Sequence, residues 1–416
     1  MSDFKIAHVS DVHAGYKATR RVNSKGLNIR EADGYVAFSR IITEIIDEDV
    51  DAVLIAGDIF HVPKPEVRTQ VFVQKQLLRL WRARIPVYML AGNHDTNDVK
   101  TDVAASKLLD DPWRKIFSHV EPYAVHEIGD GIHLHMVSHH MYSEQHETMK
   151  KVVPVDGAIN IFSTHGSVID PLTSLKLTTE NSPREIIIPD SLFSYDWDYT
   201  MLGHIHERGW VGSKDESSDT EDTRIFYNGS IIRRGFSDSE CALGRGWTLW
   251  SIDSSGNFTP SVRTIPQRPQ IDFGVIDAAD LKASEVTSKV LANLQETQSN
   301  GREFDVSSAP ILRQRVVNLS PSKSAGIDRN AIETESGHSL SWNLETPVNV
   351  DSSVSKDSGN NQKSFENKDL IASYDRWAEE SQTLKSVDED MRETVQQQTR
   401  DFVEMGVQYT LDKESS

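Results

Sequence analysis

The first third of the chain alternates short apolar segments with amphipathic ones, and this alternation limits the fold more than any other feature. Apolar runs of strand length cover Phe4 to Ser10, Ala52 to Ala56 and Pro86 to Leu90. Between them, apolar side chains recur at helical spacing, first from Tyr35 to Ile46 and then from Val67 to Trp81. This order of strand, helix, strand, helix and strand predicts that the strands pair in parallel through right-handed crossovers.

From about Gly131 the pattern changes to extended segments with short connections. They are Ile132 to Val137, Ala158 to Ser163, Tyr199 to Leu202, Arg224 to Tyr227 and Trp247 to Ile252. We therefore predict an α/β fold over residues 1–255: a two-sheet β-sandwich with flanking helices. For residues 256–345 we predict a smaller α+β unit, with a helix near 279–294 and a strand at 311–319.

The end of the chain has a different composition. Residues 346–366 are rich in Ser, Asn, Asp and Lys and contain few large apolar side chains, which predicts a flexible linker. Residues 367–416 then carry two amphipathic helical patterns. Two such helices beyond a linker cannot bury their own apolar faces well, so we predict a helical tail that binds a partner.

Charge and cysteine content narrow the functional classes. The single cysteine, Cys241, excludes an internal disulfide and a cysteine zinc site, and it favours a cytoplasmic or nucleoid-associated protein. The sequence lacks an apolar run of about eighteen residues, so we expect no membrane span. The net charge of −19 is unusual for a chain that binds DNA alone. DNA binding would therefore need bound cations or a partner, and we expect both.

Five short motifs stand at the ends of predicted strands, and each joins an apolar strand to side chains that can bind a metal. They are Asp11-Val12-His13, Gly57-Asp58-Ile59-Phe60-His61, Gly92-Asn93-His94-Asp95, Thr164-His165-Gly166 and Gly203-His204-Ile205-His206. The carboxyl ends of parallel strands open on one edge of a sheet, so side chains that are distant in sequence converge there.

The candidate ligands are two carboxylates, one amide and four imidazoles. They are Asp11, His13, Asp58, Asn93, His165, His204 and His206. Mixed oxygen and imidazole ligands suit Mn²⁺, Fe²⁺ or Zn²⁺. The set is too large for one such ion and fits two ions, which, roughly 3.5–4 Å apart, clamp the attacking and leaving oxygens of a phosphoryl transfer.

Two further histidines receive roles from the same motifs. We predict that His94, directly after Asn93, gives a proton to the leaving alkoxide. His61 is predicted to meet the substrate or to orient a ligand. His139 and His140 are weaker candidates for the site wall, and His8 is expected in the core. The spacings of His119 and His126 match no ligand pattern.

Each motif taken singly also has a structural explanation. Asp11 could be a turn or cap residue, and Gly57-Asp58 could be a simple strand exit. His165 or His206 alone could be a packed core or surface histidine. The five together, in order and each at a strand end, favour a metal site.

With these residues established, the sequence resembles the calcineurin-like metallophosphoesterase superfamily. Within it, Asp11 to Tyr16 and Ala56 to His61 resemble the SbcD and Mre-eleven nucleases of double-strand-break processing complexes. Asn228-Gly229-Ser230 followed by Arg233 resembles that family's segment after the last histidine pair. The likeness covers residues 1 to about 255 well, the small unit loosely, and the terminal helices by layout only.

The resemblance implies a division of the ligands. Asp11, His13 and His206 would hold one ion, Asn93, His165 and His204 would hold the other, and Asp58 would bridge them. His94 would act near the leaving group. The chain departs from the family in an acidic insertion at 213–222 and in the basic pair Arg20-Arg21.

The resemblance also implies partners. Residues 270–345 would form a DNA-facing capping domain. The helices of 367–416 would dock on the coiled-coil root of an SbcC or Rad-fifty type ATPase. Family members pair as homodimers, for which Glu66 to Ala83 and Asp102 to Phe117 are the candidate segments here.

The leading hypothesis is a manganese-dependent DNA exonuclease and endonuclease that acts in double-strand-break repair or recombination with its ATPase. A rival with the same fold is a metallophosphoesterase for small phosphodiesters or phosphoproteins, which would not need the small domain and the tail. A rival from another class is a non-catalytic scaffold, which would have no use for His94.

Overall fold

The computed structural model describes residues 3–95, 104–139, 146–168, 187–211, 224–236, 244–299 and 309–346, all within one compact unit, Met1–Val350. The predictions for the acidic insertion at 213–222, for residues 347–366 of the linker, for the helices of 367–416 and for His140 lie outside the described residues.

The strands are numbered in chain order. They are β1 (Phe4–Val9), β2 (Ala52–Ala56), β3 (Val87–Leu90), β4 (Ile116–His119), β5 (Tyr123–Gly129), β6 (Ile132–Val137), β7 (Ile159–His165), β8 (Tyr199–Gly203), β9 (Gly209–Trp210), β10 (Ile225–Tyr227), β11 (Arg245–Ile252), β12 (Phe258–Ile265), β13 (Gln270–Asp272), β14 (Ile276–Asp277), β15 (Ile311–Val317) and β16 (Ser341–Glu345).

The helices flank these strands. They are α1 (Ile29–Asp47), α2 (Val67–Arg82), α3 (His146–Met149), α4 (Ala283–Ser299), α5 (Pro321–Ala325) and α6 (Arg329–Glu335), with 3₁₀ turns at Ala105–Leu109, Pro112–Arg114, Asp190–Leu192 and Ser336–His338. Among the described residues, no helix has the length and apolar content to cross a bilayer.

Two six-stranded mixed sheets form the large unit, which confirms the predicted sandwich. The first has the order β12-β11-β1-β2-β3-β4, with β1 to β4 parallel. The second has the order β5-β6-β7-β8-β10-β9, with β6, β7, β8 and β10 parallel. Ligand-bearing strands therefore lie side by side in each sheet.

Strand β2 shows why the sheets stack. Ala52, Leu54 and Ala56 belong to the core between the two sheets, whereas Val53 and Ile55 belong to the core beneath the helices. Successive side chains of a strand point to opposite faces, so an unbroken apolar run is needed when both faces are covered. The helices cover the first sheet from outside.

Helix α1 follows the same logic. The Asn28 side chain accepts from the backbone N–H groups of Arg30 at 3.0 Å and Glu31 at 3.4 Å, which starts the helix. Phe38, Ile42 and Ile45 recur at helical spacing and are fully buried against the first sheet.

The small unit begins later than predicted. Strand β12 pairs antiparallel with β11 along its whole length, so the first sheet extends ten residues past the predicted domain end at 255. Strand β11 pairs with β1 on one side and with β12 on the other, so β12 is the edge strand that completes the first sheet. In the small unit, β15 pairs in parallel with β13, β14 and β16, and α4 packs on that sheet.

Candidate metal centre

All the predicted ligands lie at carboxyl ends of neighbouring parallel strands. Asp11 and His13 follow β1, Asp58 follows β2 and Asn93 follows β3, all in the first sheet. His165 ends β7, and His204 and His206 follow β8, in the second sheet. The two sheets face each other across a shared core, and this packing brings the two sets of strand ends together.

The backbone at these positions is unusual. Asp11, His13, Asp58 and His204 have φ angles of 51°, 45°, 53° and 102°, in the left-handed region that L-residues rarely occupy. A backbone hydrogen bond joins the loops after β1 and β2: the N–H of His13 donates to the Asp58 carbonyl at 2.9 Å. Strain of this kind persists where the surroundings fix it and is typical of functional sites.

The first donor group contains Asp11, His13 and His206. The Nε2 atoms of His13 and His206 are 3.1 Å apart. One Asp11 carboxylate oxygen lies 3.9 Å from Nε2 of His13 and 3.8 Å from Nε2 of His206. The N–H of His204 donates to both Asp11 oxygens, at 3.2 and 3.1 Å, which fixes the orientation of this carboxylate.

The second donor group contains Asn93, His165 and His204. Oδ1 of Asn93 lies 3.0 Å from Nε2 of His165 and 3.2 Å from Nδ1 of His204. Nδ1 of His165 donates to the Ala56 carbonyl at 2.9 Å, so Nε2 is the atom that faces the Asn93 amide oxygen. A proton on Nε2, or a cation in its place, is needed between this nitrogen and the oxygen.

Asp58 lies between the groups. One of its carboxylate oxygens is 3.3 Å from Nε2 of His165 and 3.5 Å from Nε2 of His13. Each of these histidines belongs to a different donor group. A single carboxylate oxygen in contact with both groups is the arrangement expected of a bridging ligand.

The electrostatics of the site fit cation binding. Burial lowers the pKa of His204 to about 3 and holds the pKa values of His13 and His206 well below their usual range. Neutral imidazoles are the form that binds metals. Burial alone would raise the pKa of Asp58, but His165 and His13 outweigh it and hold that pKa well below its usual range.

His165 carries the opposite shift. Burial alone would lower its pKa, but the Asp58 carboxylate dominates and raises it to about 9. Nε2 of buried His204 has no hydrogen-bond partner. A bound divalent cation would take the place of the proton on His165 and would bind the unpartnered nitrogen of His204. The residues present therefore fit the two-ion site implied by the resemblance.

His94 and His61 stand beside the donors. The backbone N–H of His94 donates to Oδ1 of Asp58 at 2.8 Å, and Nδ1 of His94 donates to the His61 carbonyl at 2.7 Å. The two rings stack at 5.3 Å, and Nδ1 of His61 is 3.4 Å from Nδ1 of His13. Both predicted catalytic histidines thus contact the metal-binding group.

Two residues near the site were missed by sequence reasoning. Asp95, fully buried, accepts from the N–H groups of Ile59 at 3.2 Å, Phe60 at 3.0 Å and Gly92 at 3.0 Å, and so joins two ligand loops. Its presence in the Asn-His-Asp motif was the available signal. Arg234, whose Nη1 lies 3.1 Å from Nε2 of His206, had no such signal.

Other histidines have structural surroundings. His8 is fully buried, as expected. His139 is buried, with its ring 6.4 Å from the ring of His165 and its Nδ1 3.4 Å from the His165 carbonyl oxygen. His119 and His126 form a pair with their Nε2 atoms 2.7 Å apart, on the outer strands β4 and β5.

Comparisons with known proteins identify the family. The calcineurin-like phosphoesterase profile matches residues 4–221, more than half of the chain. The protein therefore belongs to the calcineurin-like phosphoesterase family, which confirms the superfamily predicted from the motifs.

Within that family, the chain is similar to proteins named for DNA double-strand break repair. The DNA double-strand break repair protein Mre11 of Haloferax volcanii is 25% identical over 321 residues, which are 74% of this chain and 60% of that protein. The protein of the same name from Sulfolobus acidocaldarius is 25% identical over 309 residues, 72% of each. The predicted resemblance to the Mre-eleven group is confirmed.

A structural comparison gives a weaker likeness. A dimetal phosphatase from Danio rerio aligns with a TM-score of 0.37 and 10% identity, over 60% of this chain and 93% of that one. A likeness at this level supports no conclusion about activity.

Proposed function

We propose that the protein is a DNA nuclease, with exonuclease and endonuclease activity, that hydrolyses phosphodiesters with two divalent ions, most readily Mn²⁺. The observation that carries the proposal is the Asp58 carboxylate oxygen, within 3.5 Å of a histidine from each of the two donor groups. The mixed oxygen and imidazole ligands support Mn²⁺ over an all-oxygen site for Mg²⁺.

The chain's own residues would hold both ions. Asp11, His13 and His206 would bind one, Asn93, His165 and His204 the other, and Asp58 both. When bound, the ions supply charge neutralisation at the phosphate and acidify water for attack. The buried ligands exclude bulk water from the back of the site, because six of the seven side chains are buried and only His206 is half-buried.

His94 is proposed as the proton donor to the leaving oxygen. Its Nδ1–H donates to the His61 carbonyl, so Nε2 is the atom that gains and releases the exchangeable proton. The backbone bond from His94 to Asp58 keeps the ring beside the donor groups. His61 supports this arrangement through its carbonyl and through stacking, and it acts as a positioning residue.

DNA as the substrate is supported by the relatives, whose shared name is DNA double-strand break repair protein Mre11. The charge of −19 is compatible with DNA if the ions and a partner supply positive charge. We propose a cytoplasmic or nucleoid-associated complex in which the small unit, residues 256–345, faces DNA. The helices of 367–416 would bind an SbcC or Rad-fifty type ATPase.

A homodimer is supported by exposed apolar side chains on the two segments named for it. On α2, Val67 is 73% and Trp81 41% exposed; on the following 3₁₀ turns, Leu108 is 69% and Trp113 98% exposed. The Arg114 guanidinium lies 5.2 Å above the Trp81 ring and joins the two segments. We take these exposed apolar side chains as the candidate contacts between the two copies.

The test is hydrolysis by the purified, metal-stripped full chain. With added Mn²⁺ we expect cleavage of labelled duplex DNA, and with a chelator in excess we expect none. A chromogenic phosphodiester serves as the competing substrate. Turnover of the small ester without cleavage of DNA would replace the nuclease with the small-substrate phosphoesterase, and turnover of neither would favour a scaffold.

The ATPase partnership is tested on the same preparation. Removal of residues 367–416 is expected to abolish association with the ATPase and to leave Mn²⁺-dependent cleavage intact. Copurification of the shortened chain with the ATPase, at the yield of the full chain, would contradict the proposed docking.

A further inference from the structure

Arg234 places a permanent positive charge against the first donor group. Its Nη1 lies 3.1 Å from Nε2 of His206, an atom that the proposed mechanism assigns to a metal ion. Its guanidinium carbon lies 4.8 Å from the centre of the Tyr16 ring, so the side chain rests on an aromatic face. The Tyr16 ring in turn meets the His61 ring edge to face at 5.1 Å.

This charge acts on several donors at once. Its Nη1 is 3.1 Å from Nε2 of His206, which is itself 3.1 Å from Nε2 of His13. A guanidinium this close to two imidazole donors opposes a divalent cation bound to them. By itself, therefore, Arg234 makes the site worse for metal.

An anion between the Arg234 guanidinium and the metal ion removes this repulsion. A phosphoryl oxygen can accept from the guanidinium while its neighbours face the ion, and guanidinium–phosphate pairs are strong and directional. Arg234 is half-buried, with its flat face against Tyr16, so the group is oriented before a substrate arrives.

We infer that Arg234 is a substrate-contacting residue that binds an oxygen of the reacting phosphate beside the ion held by Asp11, His13 and His206, so that metal and phosphate bind cooperatively. The inference deepens the proposed function and rests on it only in taking a phosphoester as the substrate. A residue that merely supported the ligands would strengthen metal binding, whereas Arg234 weakens it until phosphate is present.

The experiment measures two affinities without any DNA. Mn²⁺ is titrated calorimetrically into the metal-free full chain, and inorganic phosphate is then titrated into the Mn²⁺-loaded chain. For Arg234→Gln we expect Mn²⁺ to bind about tenfold more tightly, because the repulsion is gone. We expect phosphate to bind about tenfold more weakly, because the charged donor pair is gone.

Arg40→Gln is the matched control, since it removes the same charge from an exposed site on α1; both affinities should stay at the wild-type values. Weaker Mn²⁺ binding by Arg234→Gln, or unchanged phosphate binding, would overturn the inference. If Arg234→Gln does not fold, Arg234→Lys decides: it should keep the Mn²⁺ affinity and lose phosphate affinity, and wild-type values for both would overturn the inference. Failure of the protein to cleave DNA would refute the proposed nuclease activity, but it would not change the outcome of these titrations.

Discussion

Gly57→Ala tests whether the close approach of two loops sets the position of His165. Gly57 has a φ of 87°, and a Cβ there would lie 2.2 Å from Nδ1 and 2.6 Å from Cγ of His165. Ordinary contact begins at 3.4 Å, so the imidazole must retreat by about 1.2 Å. A retreat of that size breaks the 2.9 Å hydrogen bond from His165 to the Ala56 carbonyl.

The expected magnitude follows from these two effects. The left-handed backbone costs an alanine roughly 1 kcal/mol relative to glycine. Loss of the hydrogen bond at a buried imidazole adds about 1–2 kcal/mol. We therefore expect the free energy of unfolding of the metal-free protein to fall by about 2–3 kcal/mol. Misplacement of His165 should weaken Mn²⁺ binding about 10–100-fold, the range for disturbed ligand orientation.

The control is Gly157→Ala, in the turn before the same strand, at the end opposite His165. Gly157 has a φ of 72°, and a Cβ there would meet no atom within 4 Å. It should therefore show only the backbone cost, about 1 kcal/mol, with unchanged Mn²⁺ affinity. Urea unfolding followed by circular dichroism, together with Mn²⁺ calorimetry, measures both quantities. Equal unfolding free energies and equal Mn²⁺ affinities for the two variants would show that the contact between Gly57 and His165 does not set the position of His165.

Three further predictions concern other parts of the molecule. His94→Ala should lower the rate of DNA hydrolysis about 10²–10⁴-fold and leave Mn²⁺ affinity unchanged, because its contact with Asp58 is through the backbone; an unchanged rate would exclude the proton-donor role. Burial lowers the pKa of His8 to about 3, so stability is full above the unfolded pKa of about 6.5 and is lost as pH falls below it. When the pH is lowered from 7 to 5, the free energy of unfolding measured with urea should fall by about 2 kcal/mol less in His8→Leu than in the wild type. An equal fall in both proteins would contradict this. Trp113→Glu should dissociate the proposed dimer in sedimentation without lowering the unfolding midpoint, since the side chain is 98% exposed; a persistent dimer would exclude that interface.

The sequence was informative about strands and donors because both depend on local patterns. The apolar run Ala52 to Ala56 could be assigned to a parallel strand, and the structure confirms this assignment. Only the structure shows that both faces of the strand are covered. A carboxylate directly after such a strand has to emerge at the sheet edge, which is why Asp58 could be placed near Asn93. The division of the seven side chains between two ions stays a prediction from the resemblance.

The boundary of the large unit could not be predicted in the same way. Strand β12 has an irregular burial pattern and lies at a sheet edge, where only β11 pairs with it. Its alternating signal is weak, because an edge strand needs fewer buried side chains than a central one. The residues from Phe258 to Ile265 were therefore assigned to the small unit rather than to the first sheet.

What the amino-acid sequence determined by itself was the set of chemical groups and the strand ends that carry them, since both follow from the periodicity of a few neighbouring residues. Only the tertiary structure decided which groups touch. Arg234 reaches His206 from 28 positions along the chain, and His119 meets His126 because strands from different sheets come together. Such contacts depend on how two sheets stack, and that stacking is fixed by the summed packing of the core rather than by any short segment.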